Sequence, residues 1–291
     1  MSASVPPPLP DRLPPDLSLE LTARCNFACP YCYNVWHEVP ALARPELSTD
    51  GWKQVLARCA DAHVRSLLLT GGEPLLRPDF LEILDTARAL LPDARLSLFT
   101  NASRLTDPLL LRLRDARVHI ATSLQGLRAY SDLTGTRRSC RRLLSLLARA
   151  AELRCPLAVS ITLTRRNLPE LPDLLLAAAL SGAASIQLGP MMLEGRARLH
   201  PDLMLTPDEW RQARRTAATL PGLSIPISFC DEFYCACHPQ PSSVPDRWGP
   251  PPSTSCPAGR LFGVIGPTGR YRTCLHTLPC PLQKGDRLST R

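Results

Sequence analysis

The sequence predicts an α/β fold: a partial (β/α)6 TIM-like barrel with a small cysteine-rich C-terminal extension. Three observations carry this expectation. From residue 17 onward, short apolar runs alternate with longer stretches of helical spacing. The runs are almost continuously apolar, as strands of a parallel sheet covered on both faces are. The alternation ends near residue 220, and six of the twelve cysteines come after residue 229.

Taken in order, the strand candidates are 17–23, 65–70, 95–100, 118–124, 157–163 and 184–189. Helical spacing occupies 50–62, 78–91, 108–115, 138–153 and 168–180, and a sixth helix, 207–220, follows the last strand. Its start is marked by Thr206 as N-cap and Glu209 three residues on, the pattern of a capping box. Residues 1–16 carry repeated prolines and are expected as a disordered tail, 17–220 as the barrel and 221–291 as the extension. Within the extension, 239–255 is too rich in proline and serine for a regular element and reads as a linker or draped loop. An α/β barrel gathers its functional groups at the carboxyl ends of its strands.

Composition excludes several classes. The formal charge is +8, but it rests on arginine, with Lys53 and Lys284 the only lysines. The pairs Arg137-Arg138, Arg141-Arg142 and Arg165-Arg166 fall in or beside helical patterns and read as solvated faces. They lack the interleaved aromatics of a base-stacking platform, so no nucleic-acid partner is expected. No signal peptide opens the chain and no uninterrupted apolar run reaches about 18 residues, so no membrane association and a cytoplasmic location are expected. Twelve cysteines without an export signal point to metal, catalysis or burial rather than disulfides. Cys59, Cys140 and Cys155 lie inside helix or strand patterns without partners and read as structural.

The strongest signal follows the first strand. Cys25, Cys29 and Cys32 form a C-x3-C-x2-C run on one short loop. Three thiolates can hold three irons of a [4Fe-4S] cluster and leave the fourth iron open, and an open position is what metal-centred catalysis needs. A zinc site with His37 as fourth ligand is the alternative, though zinc ligands usually come in paired C-x2-4-C and H-x3-5-H units.

This loop resembles the signature of the radical S-adenosylmethionine (SAM) superfamily. The resemblance implies that the open iron binds the amino and carboxylate groups of SAM, whose reductive cleavage yields a 5′-deoxyadenosyl radical. Tyr31 matches the aromatic near the adenine. Thr70-Gly71-Gly72-Glu73-Pro74 after strand two is similar to the family's GGEP segment. There the glycines would let backbone approach a ligand, and Glu73 would face the ammonium of SAM. Thr100 and Asn101 after strand three match its Thr-Asn-Gly. Ser123 and Gln125 after strand four stand where many relatives carry Ser-Leu-Asp-Gly, with Gln125 departing from the commoner aspartate. Thr162, at the end of strand five, is placed to reach the ribose.

The C-terminal cysteines resemble the SPASM/Twitch class, which carries auxiliary iron–sulfur clusters. Cys256 and Cys274 flank a strand–turn–strand pattern that reads as a hairpin. With Cys280, and Cys235 or Cys237 completing the set, they are expected to hold one auxiliary [4Fe-4S] cluster; Cys230 is a further candidate ligand. The likeness is nearest to the peptide-modifying group that includes the pyrroloquinoline quinone biosynthesis enzyme. It implies oxidative modification of a peptide substrate, an external one-electron donor, and a separate leader-peptide-binding protein, since only 16 residues precede the first strand candidate. A small-molecule precursor as substrate, or a non-catalytic electron-transfer role, are the competing readings.

Overall fold

The computed structural model describes residues 5–230 and 258–276. Among them, nine strands form one sheet: β1 Asp16–Glu20, β2 Ser66–Thr70, β3 Arg95–Thr100, β4 Val118–Ser123, β5 Leu157–Leu163, β6 Ser185–Pro190, β7 Ile227–Phe229, β8 Phe262–Ile265 and β9 Tyr271–Arg272. Their spatial order is β7-β6-β5-β4-β3-β2-β1-β8-β9. Every pairing is parallel except the β8–β9 hairpin. The helices are α1 Thr49–Asp61, α2 Phe80–Leu90, α3 Asp107–Asp115, α4 Tyr130–Thr134, α5 Arg141–Glu152, α6 Leu171–Leu180 and α7 Pro207–Thr219. This is the expected open barrel: β1 to β7 lie in sequence order, joined through helices, with the sheet not closed among the described residues.

The strands are less evenly apolar than two-sided coverage demands. In β5, Leu157, Val159, Ile161 and Leu163 are buried, while Ala158, Ser160 and Thr162 between them are half-buried. β3 and β4 repeat this alternation, with Ser97 and Phe99, then Ala121 and Ser123, on the half-open side. The period of two assigns one face of the sheet to the helices and the other to a concave surface lined by small and polar groups. The core joins that first face to Trp52, Phe80, Ile83, Leu110, Leu147 and Leu174 of the helices.

Several boundaries differ from expectation for local reasons. β1 ends at Glu20 because the next residues leave the ladder: the Thr22 hydroxyl and the Ala23 N–H both donate to the Glu46 carboxylate, at 2.8 and 2.9 Å. The helix expected from 138 begins at Arg141, because α4 and the turn at Gly135 intervene. Five residues are too few to register as a helical period. α7 carries the full capping box, Thr206 Oγ1 accepting from Glu209 N and the Glu209 side chain accepting from Thr206 N.

The segment expected as a disordered tail instead lies along the body from residue 5. Leu9 and Leu13 pack on the core, and the Pro15 carbonyl accepts from Arg65 N at 2.8 Å. Prolines with fixed φ hold such an extended path at low entropic cost. The expected hairpin forms, and β8 pairs with β1, so the sheet runs on past residue 220 at both edges. A buried ion pair fastens it: Arg272 Nη2 donates to both Glu20 oxygens at 2.8 and 2.9 Å, with both side chains about 1% exposed.

Candidate functional site

The cysteine loop leaves β1 at the carboxyl edge of the sheet, and three neighbouring segments grip its backbone. From the β2 end, Gly72 N donates to the Thr22 carbonyl at 2.7 Å and Glu73 N to the Arg24 carbonyl at 2.8 Å. A Cβ on Gly71 would lie 2.5 Å from the Thr22 oxygen, and one on Gly72 would lie 2.3 Å from that of Arg24. These glycines therefore let two backbones touch, and the close approach that the motif implies is made to the chain's own loop. From α4, the Thr134 carbonyl accepts from Ala28 N at 3.0 Å. Gly135, at φ +61°, ends α4 where a side chain would strike the Ala28 carbonyl at 2.7 Å. From the segment after β6, Ala197 N donates to the Cys32 carbonyl at 3.3 Å, and the Arg196 guanidinium donates to the Cys29 carbonyl at 3.2 Å.

The three sulfurs are neighbours, for the charges of Cys25 and Cys32 both act on Cys29. Cys25 is exposed and the other two are half-buried. Burial raises all three thiols, Cys29 to about 12, against the pull of the nearby Arg196 charge. Such thiols stay protonated at neutral pH until a metal displaces the proton. The Tyr31 hydroxyl bonds the Cys29 sulfur, and burial pushes that phenol well up. The donor set fits an iron–sulfur cluster: three soft thiols on one loop, partly open to solvent. His37, the fourth ligand of the zinc alternative, is exposed, with its ring tilted against that of Trp36.

Beside this loop the strand ends are cross-braced. Glu73 is fully buried; its Oε1 accepts from Thr100 Oγ1 at 2.7 Å and Leu75 N at 3.0 Å, and its Oε2 from Asn101 N at 2.7 Å. Burial still raises this carboxyl, with the three bonds opposing. Asn101 Nδ2 donates to Asn26 Oδ1 at 2.8 Å and lies 4.0 Å from the Cys25 sulfur. Gln125 is 1% exposed, and its amide is spent on the backbone of β5, accepting from Thr162 N at 2.8 Å and donating to the Ser160 carbonyl at 3.3 Å. Ser123 and Thr162 remain half-buried on the concave side. A small open hollow of about 20 Å³ lies next to the loop, lined in part by Phe27, Asn101, Ser103, Tyr130, Arg138 and Arg142.

Some residues that hold this site carry no sequence signal. Glu170 accepts from the N–H groups of Leu127, Arg128 and Ala129 at 2.6, 3.0 and 3.0 Å, fixing the segment that leads into α4. Arg77 donates to the carbonyls of Leu21 and Leu47 at 3.0 and 3.2 Å and pairs with Asp79 at 2.6 Å. Cys59, Cys140 and Cys155 are buried in the body, as expected. Cys274 is buried next to His276, whose ring meets that of Tyr33 edge-on at 5.3 Å. Cys230 follows β7 and packs against Gly189. Cys235, Cys237, Cys256 and Cys280 lie outside the described residues.

A parallel sheet with a three-cysteine loop at its first strand end defines a class, and comparison with known proteins agrees. The chain belongs to the radical SAM superfamily, whose family model matches residues 19–177, and it is an enzyme of that family. It is 31% identical over 263 residues to the PqqA peptide cyclase of Rhizobium meliloti, covering 87% of this chain and 68% of the relative. Its fold is similar to that of SuiB from Streptococcus suis bound to its precursor peptide SuiA, with TM-score 0.70 and 16% identity over 94% of this chain and 62% of that one. SuiB bound to S-adenosylmethionine gives TM-score 0.67 at 17% identity, over 90% of this chain and 60% of that chain. The chain thus spans about two thirds of the peptide cyclase and somewhat less of SuiB. Membership implies a [4Fe-4S] cluster and SAM. Among the described residues, no helix is long and apolar enough to cross a membrane.

Proposed function

We propose that the chain reductively cleaves SAM and oxidatively modifies a peptide substrate. The observation that carries the reading is the cysteine loop itself, three thiols held at the carboxyl end of β1 beside the braced Glu73–Thr100–Asn101 strand ends. Bound together, a reduced [4Fe-4S] cluster and SAM supply a 5′-deoxyadenosyl radical for hydrogen abstraction. In this reading Cys25, Cys29 and Cys32 hold the cluster. Tyr31, Gly71, Gly72, Glu73, Thr100, Asn101, Ser123 and Thr162 border the SAM pocket, and Gln125 acts there by fixing Thr162. In this reading Glu73 accepts from the SAM ammonium with the lone pairs that its brace leaves unused. The half-open concave face, with Ser97, Ala121, Ser160 and Thr162, receives the substrate.

Peptide as substrate is supported by the identity to a PqqA peptide cyclase over most of the chain. Cys256, Cys274 and Cys280, with Cys235 or Cys237 as the fourth ligand, hold an auxiliary cluster that takes up the electron left by oxidation of the substrate. An external one-electron donor and a separate leader-peptide-binding protein complete the system, and all act in the cytoplasm. The test is incubation of the anaerobically reconstituted enzyme with dithionite, SAM and precursor peptides encoded beside its gene. A peptide product lighter by about two hydrogens, formed with 5′-deoxyadenosine, is expected. 5′-Deoxyadenosine formation driven only by small-molecule precursors would refute the peptide reading.

A further inference from the structure

The segment after β6 carries a residue that the cluster assignment leaves unused. Gly195, at φ +59°, packs so tightly on the loop that a Cβ would lie 2.6 Å from the Asn34 carbonyl and 2.8 Å from that of Cys32. Its N–H donates to Glu38 Oε1 at 2.6 Å, and Arg198 pairs with Glu38 and Glu194 at 3.2 and 3.1 Å. Contacts on both sides of Arg196 thus lock the segment to the cysteine loop and the residues that follow it.

Arg196 differs from Arg198. Among the described residues it has no carboxylate within ion-pair distance, and its guanidinium spends one bond on the Cys29 carbonyl. The bond to Cys29 sets its charge against the cysteine loop, where it lowers the pKa of each of the three thiols. A cluster on three thiolates gains negative charge when it accepts an electron, and net charge nearby sets its reduction potential. We propose that Arg196 is a positioning residue for the iron–sulfur cluster: it clamps the loop at Cys29 and keeps a positive charge beside the three sulfurs, so that the cluster accepts its one electron from an external donor more readily.

This inference rests on the cluster assignment to Cys25, Cys29 and Cys32, and its test separates the two. Wild type, Arg196→Met and Arg196→Lys are reconstituted anaerobically and titrated with dithionite while the EPR signal perturbed by SAM is followed. In Arg196→Met the reduced fraction at a fixed potential is expected to fall about tenfold, equivalent to about 59 mV for a one-electron couple. Arg196→Lys keeps the charge but not the fork, so its potential stays near wild type while a chelator strips its iron faster. Should the Met variant fail to load, the Lys variant decides, and a lowered potential there overturns the proposal. So does a wild-type potential in a fully loaded Arg196→Met. A wild type that binds no cluster would instead overturn the site assignment.

Discussion

Replacing Glu170 with glutamine tests how the site is held from a distance. The carboxylate is 6% exposed and accepts three backbone N–H groups from residues 127–129. Glutamine has the same size, but one of its two termini is a donor. With its oxygen placed on Leu127 and Arg128, its NH2 faces the Ala129 N–H. One charge-assisted bond is lost and two are weakened, a cost of about 2–4 kcal/mol. The loosened segment leads directly into α4, whose last residue, Thr134, holds Ala28 N through its carbonyl and meets the Cys29 sulfur at 3.9 Å. Urea unfolding of the apoprotein should therefore show a lower midpoint at unchanged slope, and the reconstituted variant should release iron to a chelator faster than wild type. Stability within about 0.5 kcal/mol of wild type, together with wild-type iron retention, would refute the reasoning.

Further substitutions probe other contacts. Gly72→Ala places a Cβ 2.3 Å from the Arg24 carbonyl, so it should displace the cysteine loop and abolish iron loading, as measured by iron and sulfide content. Arg272→Met strips the partner from buried Glu20, a loss of about 3–5 kcal/mol at neutral pH. Burial already raises the Glu20 pKa against the pull of Arg272, so the folded state of this variant favours the protonated acid still more. The loss is therefore expected to shrink as pH falls through the raised value, seen as converging unfolding midpoints of wild type and variant in acid. Thr206→Ala removes the α7 cap and should cost about 1 kcal/mol in urea unfolding without changing cluster content.

What is legible in the sequence follows from which contacts are local. The strands from β2 to β6 are readable because each is a short apolar run with its own punctuation, and the α7 capping box because Thr206 and Glu209 are three residues apart. The cysteine loop is readable because its three thiols sit close together on one short run. By contrast, Glu46, Arg77, Glu170 and Arg196 act on partners 23 to 167 positions away, and no local pattern records such a bond. The glycines at 71 and 72 stand out in the sequence without revealing their neighbour, which is the backbone of residues 22–24. Gln125 matches a motif position, yet its amide is spent on the backbone of β5. The proline-rich start looks unfolded by composition, whereas Leu9 and Leu13 find the core through contacts that composition cannot encode.

The central claim is that Cys25, Cys29 and Cys32 hold the cluster that drives SAM cleavage. Its most direct test is the yield of 5′-deoxyadenosine from anaerobically reconstituted wild type and the Cys25/Cys29/Cys32→Ala triple variant, each with dithionite and SAM and with iron counted alongside. The account predicts 5′-deoxyadenosine from wild type, none from the variant, and a loss of about four irons per chain. Equal yields from the two proteins, or no 5′-deoxyadenosine from a wild type that carries its iron, would contradict it.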